Sequence, residues 1–268
     1  MKKQSQKSKK QAKKIDRRAM VSRKAVIGKN VTIGPYAVIG DNVRIGDGTF
    51  IDSFAHVLEY TEVGKNCHIF PYAMVGNISQ DLKFDGSRSF LVIGDNNIIR
   101  EFVTMNRGTR PDSKTIVGRG NLFMAYSHIA HDCLVGDNNI FANNATLAGS
   151  VEVGNKVVIG GLTAVHQFCR LGDYSIVGGC SKVVQDAPPY SMCDGHPAIV
   201  CGLNSVGLKR AGFSAATIQA LKKVFKTLFF ENHTFDKAKE IIKNEYPAVK
   251  EVDILLDFIS SSKRGIGR

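Results

Sequence analysis

Residues 25–48 read AVIGKNVTIGPYAVIGDNVRIGDG. Divided every six residues, they give four units in which an aliphatic residue (Ile27, Ile33, Ile39, Ile45) precedes a glycine. The same phase continues through Ile51, Val57, Val63, Ile69 and Val75, resumes at Ile93, Ile99 and Met105, and then runs from Val117 to Val183. Every slot in this series is apolar, and the residue two places earlier is usually small or β-branched, as at Val31, Ala37, Thr115, Cys133 and Ala145. A phase held this long marks a repeat architecture. Six residues are too few for a strand and a helix, so each unit forms one short strand and one corner. Three units close a triangular coil of eighteen residues, and the aliphatic side chains stack inside the prism at the ~4.8 Å spacing of paired strands. The glycine after each aliphatic residue is expected to serve the corner, where unusual backbone angles are needed. The expected fold class is mainly β, a parallel β-helix.

Two stretches interrupt the repeat, residues 77–90 (NISQDLKFDGSRSF) and 109–114 (TRPDSK), and both are expected to leave the prism as loops. Past Val183 the pattern fades into DAPPYSMCDGHPA, residues 186–198, whose prolines are not expected to continue a paired strand. From about Ser205 the spacing turns helical. Ser214 is placed to cap a helix carrying Ile218, Leu221, Val224, Phe225, Leu228 and Phe229 on one side. Further helices are expected over Asp236–Asn244 and near Val249–Ile259. The chain thus divides into a basic tail (1–14), a β-helix (15–190), and a connector with a C-terminal α-helical domain (191–268) that covers the open edge of the last coil.

The net charge of +12 is unevenly distributed. Residues 1–24 hold eleven Lys/Arg and one acid, Asp16, leaving 25 basic and 23 acidic residues elsewhere. The tail, MKKQSQKSKKQAKK, has no apolar run and is neither a secretory signal nor an anchor. It reads as a solvated segment, with docking to nucleic acid, an acidic protein or an anionic surface as the alternative. No apolar run approaches the ~20 residues of a membrane span, so no integral membrane contact is expected. Nor does the body of the chain carry the charge of a nucleic-acid binder. Six cysteines lack paired spacings, and Cys67, Cys133 and Cys169 share one inward repeat position. They read as small buried residues in a reducing, cytoplasmic compartment. No zinc motif is present, and no metal or other cofactor is expected.

Residues 127–150, SHIAHDCLVGDNNIFANNATLAGS, concentrate the candidate chemistry. Eighteen residues separate His131 from Gly149, and eighteen more lead to Gln167, so the three should share one corner column. Asp132, Ser150 and Phe168 form the adjacent column, with His128 on the preceding strand and His166 beside Gln167. A histidine with a carboxylate neighbour suits general-base work. A glycine one coil away can present its N–H as an oxyanion donor. No Ser or Cys nucleophile falls in the column, which favours direct attack by an acceptor hydroxyl over a covalent intermediate. Spacing alone leaves an ordinary exposed turn open. It also leaves open a metal site in a trimer, with His128, His131 and His166 converging as in the γ-class carbonic anhydrases this repeat also resembles.

The motifs HIAHDC, FANNATLAG, AVHQFC, GGCS, VVQDAPPY, QDLK, IREFVT and GLKRAGF, together with the repeat, resemble the UDP-N-acetylglucosamine O-acyltransferase family over residues 15–268. The resemblance implies a left-handed β-helix, a cytoplasmic homotrimer with sites between subunits, and the first step of lipid A synthesis. In that step an (R)-3-hydroxyacyl group moves from acyl carrier protein to the 3-hydroxyl of UDP-GlcNAc. It further implies that His131 is the base, Asp132 its orienting acid and Gly149 the oxyanion donor. Gln80, Asp81 and Lys83 match sugar-binding positions, and His128, His166 and Gln167 match other substrate contacts. Asn204 and Arg210 match a nucleotide site lent by a neighbouring subunit, and Gly179 a position governing acyl length. Departures from the family pattern fall at Asn106, Ser150, Val206 and Ala211. Related readings are another hexapeptide acyltransferase, with a 3-amino acceptor, a different sugar nucleotide or an acyl-CoA donor, and a non-catalytic paralogue that binds lipid A precursors. Residues 203–268 carry twelve basic and seven acidic side chains, a surface suited to an acidic carrier protein.

Overall fold

A computed structural model describes residues 14–246 and 249–268; the basic tail therefore lies outside the described residues except for Lys14. The repeat region is a left-handed parallel β-helix with three faces. Face A begins at Lys14–Ile15, face B at Met20–Val21 and face C at Val26–Ile27. Partners on one face lie eighteen residues apart, as in Thr32↔Phe50 and His128↔Thr146. Across the first insertion the offset becomes that of His68↔Ile98, and across the second that of Ile98↔Leu122. The insertions thus add twelve and six residues, whole multiples of the repeat, so the inward phase survives both. The first loop is shorter than expected, residues 78–89, and the second is shifted toward the N-terminus, residues 107–113. Asn77 pairs with Asn106, and Phe90 with Lys114, so the ends of the predicted loops belong to strands.

The inward positions are sealed. Val31, Ile51, Val57, Ile69, Ile99, Phe123, Ile129, Phe141 and Leu147 have no solvent exposure. Polar atoms also stack inside: the Asn121 side chain donates to Asn97 Oδ1 at 3.0 Å, and Asn121 Oδ1 accepts the Asn139 N–H at 2.8 Å. Buried side chains of this kind join adjacent coils while satisfying donors that the prism cannot expose to water. Burial pushes the thiols of Cys67, Cys133 and Cys169 upward, Cys133 to about 12. A thiol reagent at pH 8 is expected to label Cys180 and Cys201, which are exposed, and to reach the other four on denaturation. Rapid native labelling of Cys133 would contradict the sealed interior.

The repeat glycines play a different part from the one expected. Gly28, Gly34, Gly40 and Gly46 do not take a left-handed backbone; the corner residue two places later does, as at Asn30 (φ 56°), Tyr36 (φ 60°) and Asn42 (φ 57°). What the glycines provide is room, since a Cβ on Gly28 would sit 2.8 Å from the Ile45 carbonyl oxygen in the next coil. The left-handed corner accepts aromatic residues as well. Tyr36, Phe54, Tyr72, Phe102 and Tyr126 stack along the edge between faces A and B with ring centroids 4.9–5.2 Å apart.

The upper end also differs from expectation. Ser191–Gly195 does continue face A, pairing with Ile176–Val177, and turns back antiparallel as Ala198–Leu203. Pro188, Pro189 and Pro197 stand outside both strands, which leaves the intervening N–H groups free to pair. The last offset is sixteen residues, as in Leu171↔Ala187. Among the described residues four α-helices follow: α1 (Ser205–Arg210), α2 (Ala215–Phe225), α3 (Phe235–Glu245) and α4 (Lys250–Ser260). Ser214 caps α2 as expected, accepting the Thr217 N–H at 3.0 Å. A π-helical turn at Lys226–Phe230 and the separate α1 had no distinct sequence signal. No helix of the described residues is long and apolar enough to cross a membrane.

Candidate active site

Both loops leave from the edge where face B passes into face C, and His131 stands on the same edge in the next coil. Asn106 Nδ2 donates to the Ile78 carbonyl at 2.6 Å, and the hydroxyls of Ser79 and Thr109 lie 2.6 Å apart, so the loops brace each other. Gly108 passes close to the corner: a Cβ there would lie 2.8 Å from an Asp132 oxygen. Asp132 holds a left-handed backbone (φ 58°), and its carboxylate lies 2.9 Å from His131 Nδ1. The Thr109 N–H donates to the same carboxylate at 3.2 Å. Burial raises the Asp132 pKa, but hydrogen bonds from His131, Ser113 and Thr109 together outweigh it, and the group titrates below its ordinary value. An ionised Asp132 accepts the Nδ1 proton. That assignment leaves Nε2 as the basic nitrogen.

His131 Nε2 faces Gly149. A methyl group on Gly149 would run into the imidazole, so glycine is needed here for space as well as for N–H access. The Gly149 carbonyl receives the Phe168 N–H at 3.3 Å, while its own N–H has no acceptor among the described residues. The third group at Nε2 is Asp81 of the first loop, 3.7 Å away and too far for a direct hydrogen bond. These groups open into a pocket of about 560 Å³ lined by Asp81, Lys83, Arg110, His131, Gln167 and Phe168 among others.

The remaining candidates are distributed unevenly. His128 is half-buried on face B, its Nδ1 2.7 Å from the Thr104 hydroxyl; burial, then the neighbouring His131, lowers its pKa. His166 Nδ1 lies 3.2 Å from Arg264 Nη2 and 3.1 Å from the Gln167 carbonyl. Each of the three histidines of the metal alternative thus has a ring nitrogen engaged by a different partner. Gln80 is exposed and does not line the pocket. Gly179 lies on the A/B edge, where a Cβ would meet the Gly161 carbonyl oxygen at 3.3 Å. Asn204 caps α1 and donates to the Tyr174 carbonyl at 2.8 Å, at the C/A edge. Arg210 ends α1, so neither residue joins His131 within one chain. Val206 is exposed and Ala211 caps the end of α1. Sequence reasoning missed Ser79, Gly108, Thr109, Ser113 and Arg264. Unit counting held the signal for the first four, because with the insertions removed Val75, Met105 and Ile129 fall in one column.

A prism of six-residue units places the chain among the hexapeptide-repeat proteins, and its matches place it among the transferases of that class. The profile described as "Bacterial transferase hexapeptide (six repeats)" matches residues 24–58, 42–77 and 114–149, and that described as "Udp N-acetylglucosamine O-acyltransferase; Domain 2" matches residues 186–267. The acyl-acyl-carrier-protein–UDP-N-acetylglucosamine O-acyltransferase of Thiobacillus denitrificans is 46% identical over 194 residues, 72% of this chain and 75% of the relative. That of Myxococcus xanthus is 48% identical over 190 residues, 70% and 74% of the two chains. The solved structure of LpxA from Acinetobacter baumannii superposes with a TM-score of 0.90 at 44% identity, covering 95% of this chain and 99% of the other. This chain belongs to the UDP-N-acetylglucosamine O-acyltransferase family.

Proposed function

We propose that the protein transfers an (R)-3-hydroxyacyl group from acyl carrier protein to the 3-hydroxyl of UDP-GlcNAc, with His131 as general base and no covalent intermediate. The observation that carries the mechanism is the His131 arrangement: Nδ1 held by Asp132, Nε2 free, and the unpaired Gly149 N–H beside it. Nε2 takes the proton of the acceptor hydroxyl as its oxygen attacks the thioester carbonyl. The negative charge that develops on the carbonyl oxygen is met by the Gly149 N–H, and collapse expels the carrier thiolate, which regains the proton. Asp81 and Lys83 orient the sugar, with His128, His166, Gln167 and Gln80 as further contacts carried by the family match. Gly179 leaves space for a longer acyl chain.

The working form in this reading is a cytoplasmic homotrimer. It is supported by the position of Asn204 and Arg210 on another edge from His131, which requires a neighbour to complete the nucleotide site. The bare aromatic stack on the A/B edge, with Tyr126 55% exposed, is a surface that a second subunit would cover. Six free cysteines suit a reducing compartment. Purified protein assayed with UDP-GlcNAc and hydroxyacyl carrier protein tests the activity directly, and absence of acylated sugar nucleotide would refute it. The basic helical domain is the proposed carrier dock. Raising salt from 50 to 500 mM is therefore expected to raise KM for the carrier by about tenfold, and an unchanged KM would remove that dock.

A further inference from the structure

The His131 pocket does not end at Phe168. Ser150 and Phe168 also line a second chamber of about 550 Å³ higher on the same edge, closed by Arg170, Asp186, Lys263 and Arg264. Ser150 stands one coil and Phe168 two coils above Asp132, so this wall of the chamber lies ~5–10 Å up the edge from His131 at the strand spacing of the prism. Three cations face it, and its acids are already engaged. Asp186 accepts the Arg170 N–H at 2.8 Å and the Ser262 hydroxyl at 2.7 Å, one with each carboxylate oxygen. Glu152 lies 3.7 Å from Arg170 Nε.

Lys263 and Arg264 have no carboxylate partner among the described residues. Arg264 Nη2 donates to the Val184 carbonyl at 3.0 Å and reaches His166, but its Nε is buried with no acceptor. Two cations lining one chamber without carboxylates to neutralise them form a site for an anion. We infer that this chamber binds a phosphate ester of a substrate of the His131 site, an assignment that rests on the reading under Proposed function. The phosphate comes either from the diester on the carrier's prosthetic arm or from the pyrophosphate of the sugar nucleotide. Both are covalently joined to groups that must meet at His131, and the chamber adjoins that point.

Calorimetric titration of the full chain with two probe pairs separates the sources: phosphopantetheine against pantetheine, and UDP against uridine. In one pair the phosphorylated probe is expected to bind about tenfold tighter or more. That preference is expected to fall in Lys263→Ala, an exposed position, and further in Arg264→Met, with Arg264→Lys restoring part of it. Thermal melts of each variant separate lost binding from lost folding. Equal binding within both pairs overturns the assignment, as does a preference undiminished in Lys263→Ala and in folded Arg264→Lys or Arg264→Met protein. Failure of wild-type protein to transfer acyl groups would count against the proposed activity and not against the chamber, whose readout is binding.

Discussion

Replacement of His131 by alanine is expected to lower kcat by roughly 100- to 10,000-fold, the contribution typical of a positioned general base. The side chain is only 12% exposed, and its imidazole is held by the Asp132 carboxylate 2.9 Å from Nδ1. Removing it leaves the acceptor hydroxyl with no group of suitable basicity at neutral pH. Asp81 does not replace it, because a carboxylate is by nature a far weaker base than an imidazole. The fold should persist, since His131 lies on the outer edge and the interior of that coil is filled by Ile129 and Cys133. UDP-GlcNAc affinity, measured by calorimetry, should therefore stay within a few fold while single-turnover acyl transfer collapses. Near-normal turnover in this variant would dismiss His131 as the base.

The second large effect is expected from Gly149→Ala. The added methyl collides with the His131 ring and lies beside the N–H that is free to meet the carbonyl oxygen. Loss of one oxyanion donor typically costs 100- to 1,000-fold in kcat, and displacement of the base adds to that. Gly149 does not need a left-handed backbone, so alanine strains nothing in the chain itself. The variant should fold and melt close to the wild type. A large drop in Tm with normal kcat per folded molecule would show that the glycine serves packing alone. Gly179→Ala provides the contrast: its Cβ meets the Gly161 carbonyl oxygen at 3.3 Å on a different edge. It is expected to leave turnover of short-chain donors near normal while disfavouring the longest ones.

The β-helix was legible in the residues because the repeat is one-dimensional. An inward slot every six residues is a local property, and Ile33, Ile51, Ile69 and Ile99 fill it whether or not anything is known of distant contacts. The column of His131, Gly149 and Gln167 was legible for the same reason, since a coil of constant length turns separation along the chain into height along the edge. The family match then attached roles to these positions. Chain direction after Val183 was not legible. The prolines hid a strand at Ser191–Gly195, whose pairing depends on which N–H groups remain free between them.

The loops were recognised as breaks in a pattern, and a break carries no direction. That Asp81 stands 3.7 Å from Nε2, and that Thr109 and Ser113 hold the Asp132 carboxylate, follows from two insertions folding against the edge they left. Arg264 lies 98 residues from His166, and nothing in the intervening sequence brings them together. By itself the sequence determined the prism and the shared column of His131 and Gly149, because these follow from a repeat of fixed length. Tertiary structure alone decided how the pocket is walled, that Asp81 stands near His131, and where the C-terminal cations stand, because those contacts join segments whose separation obeys no period.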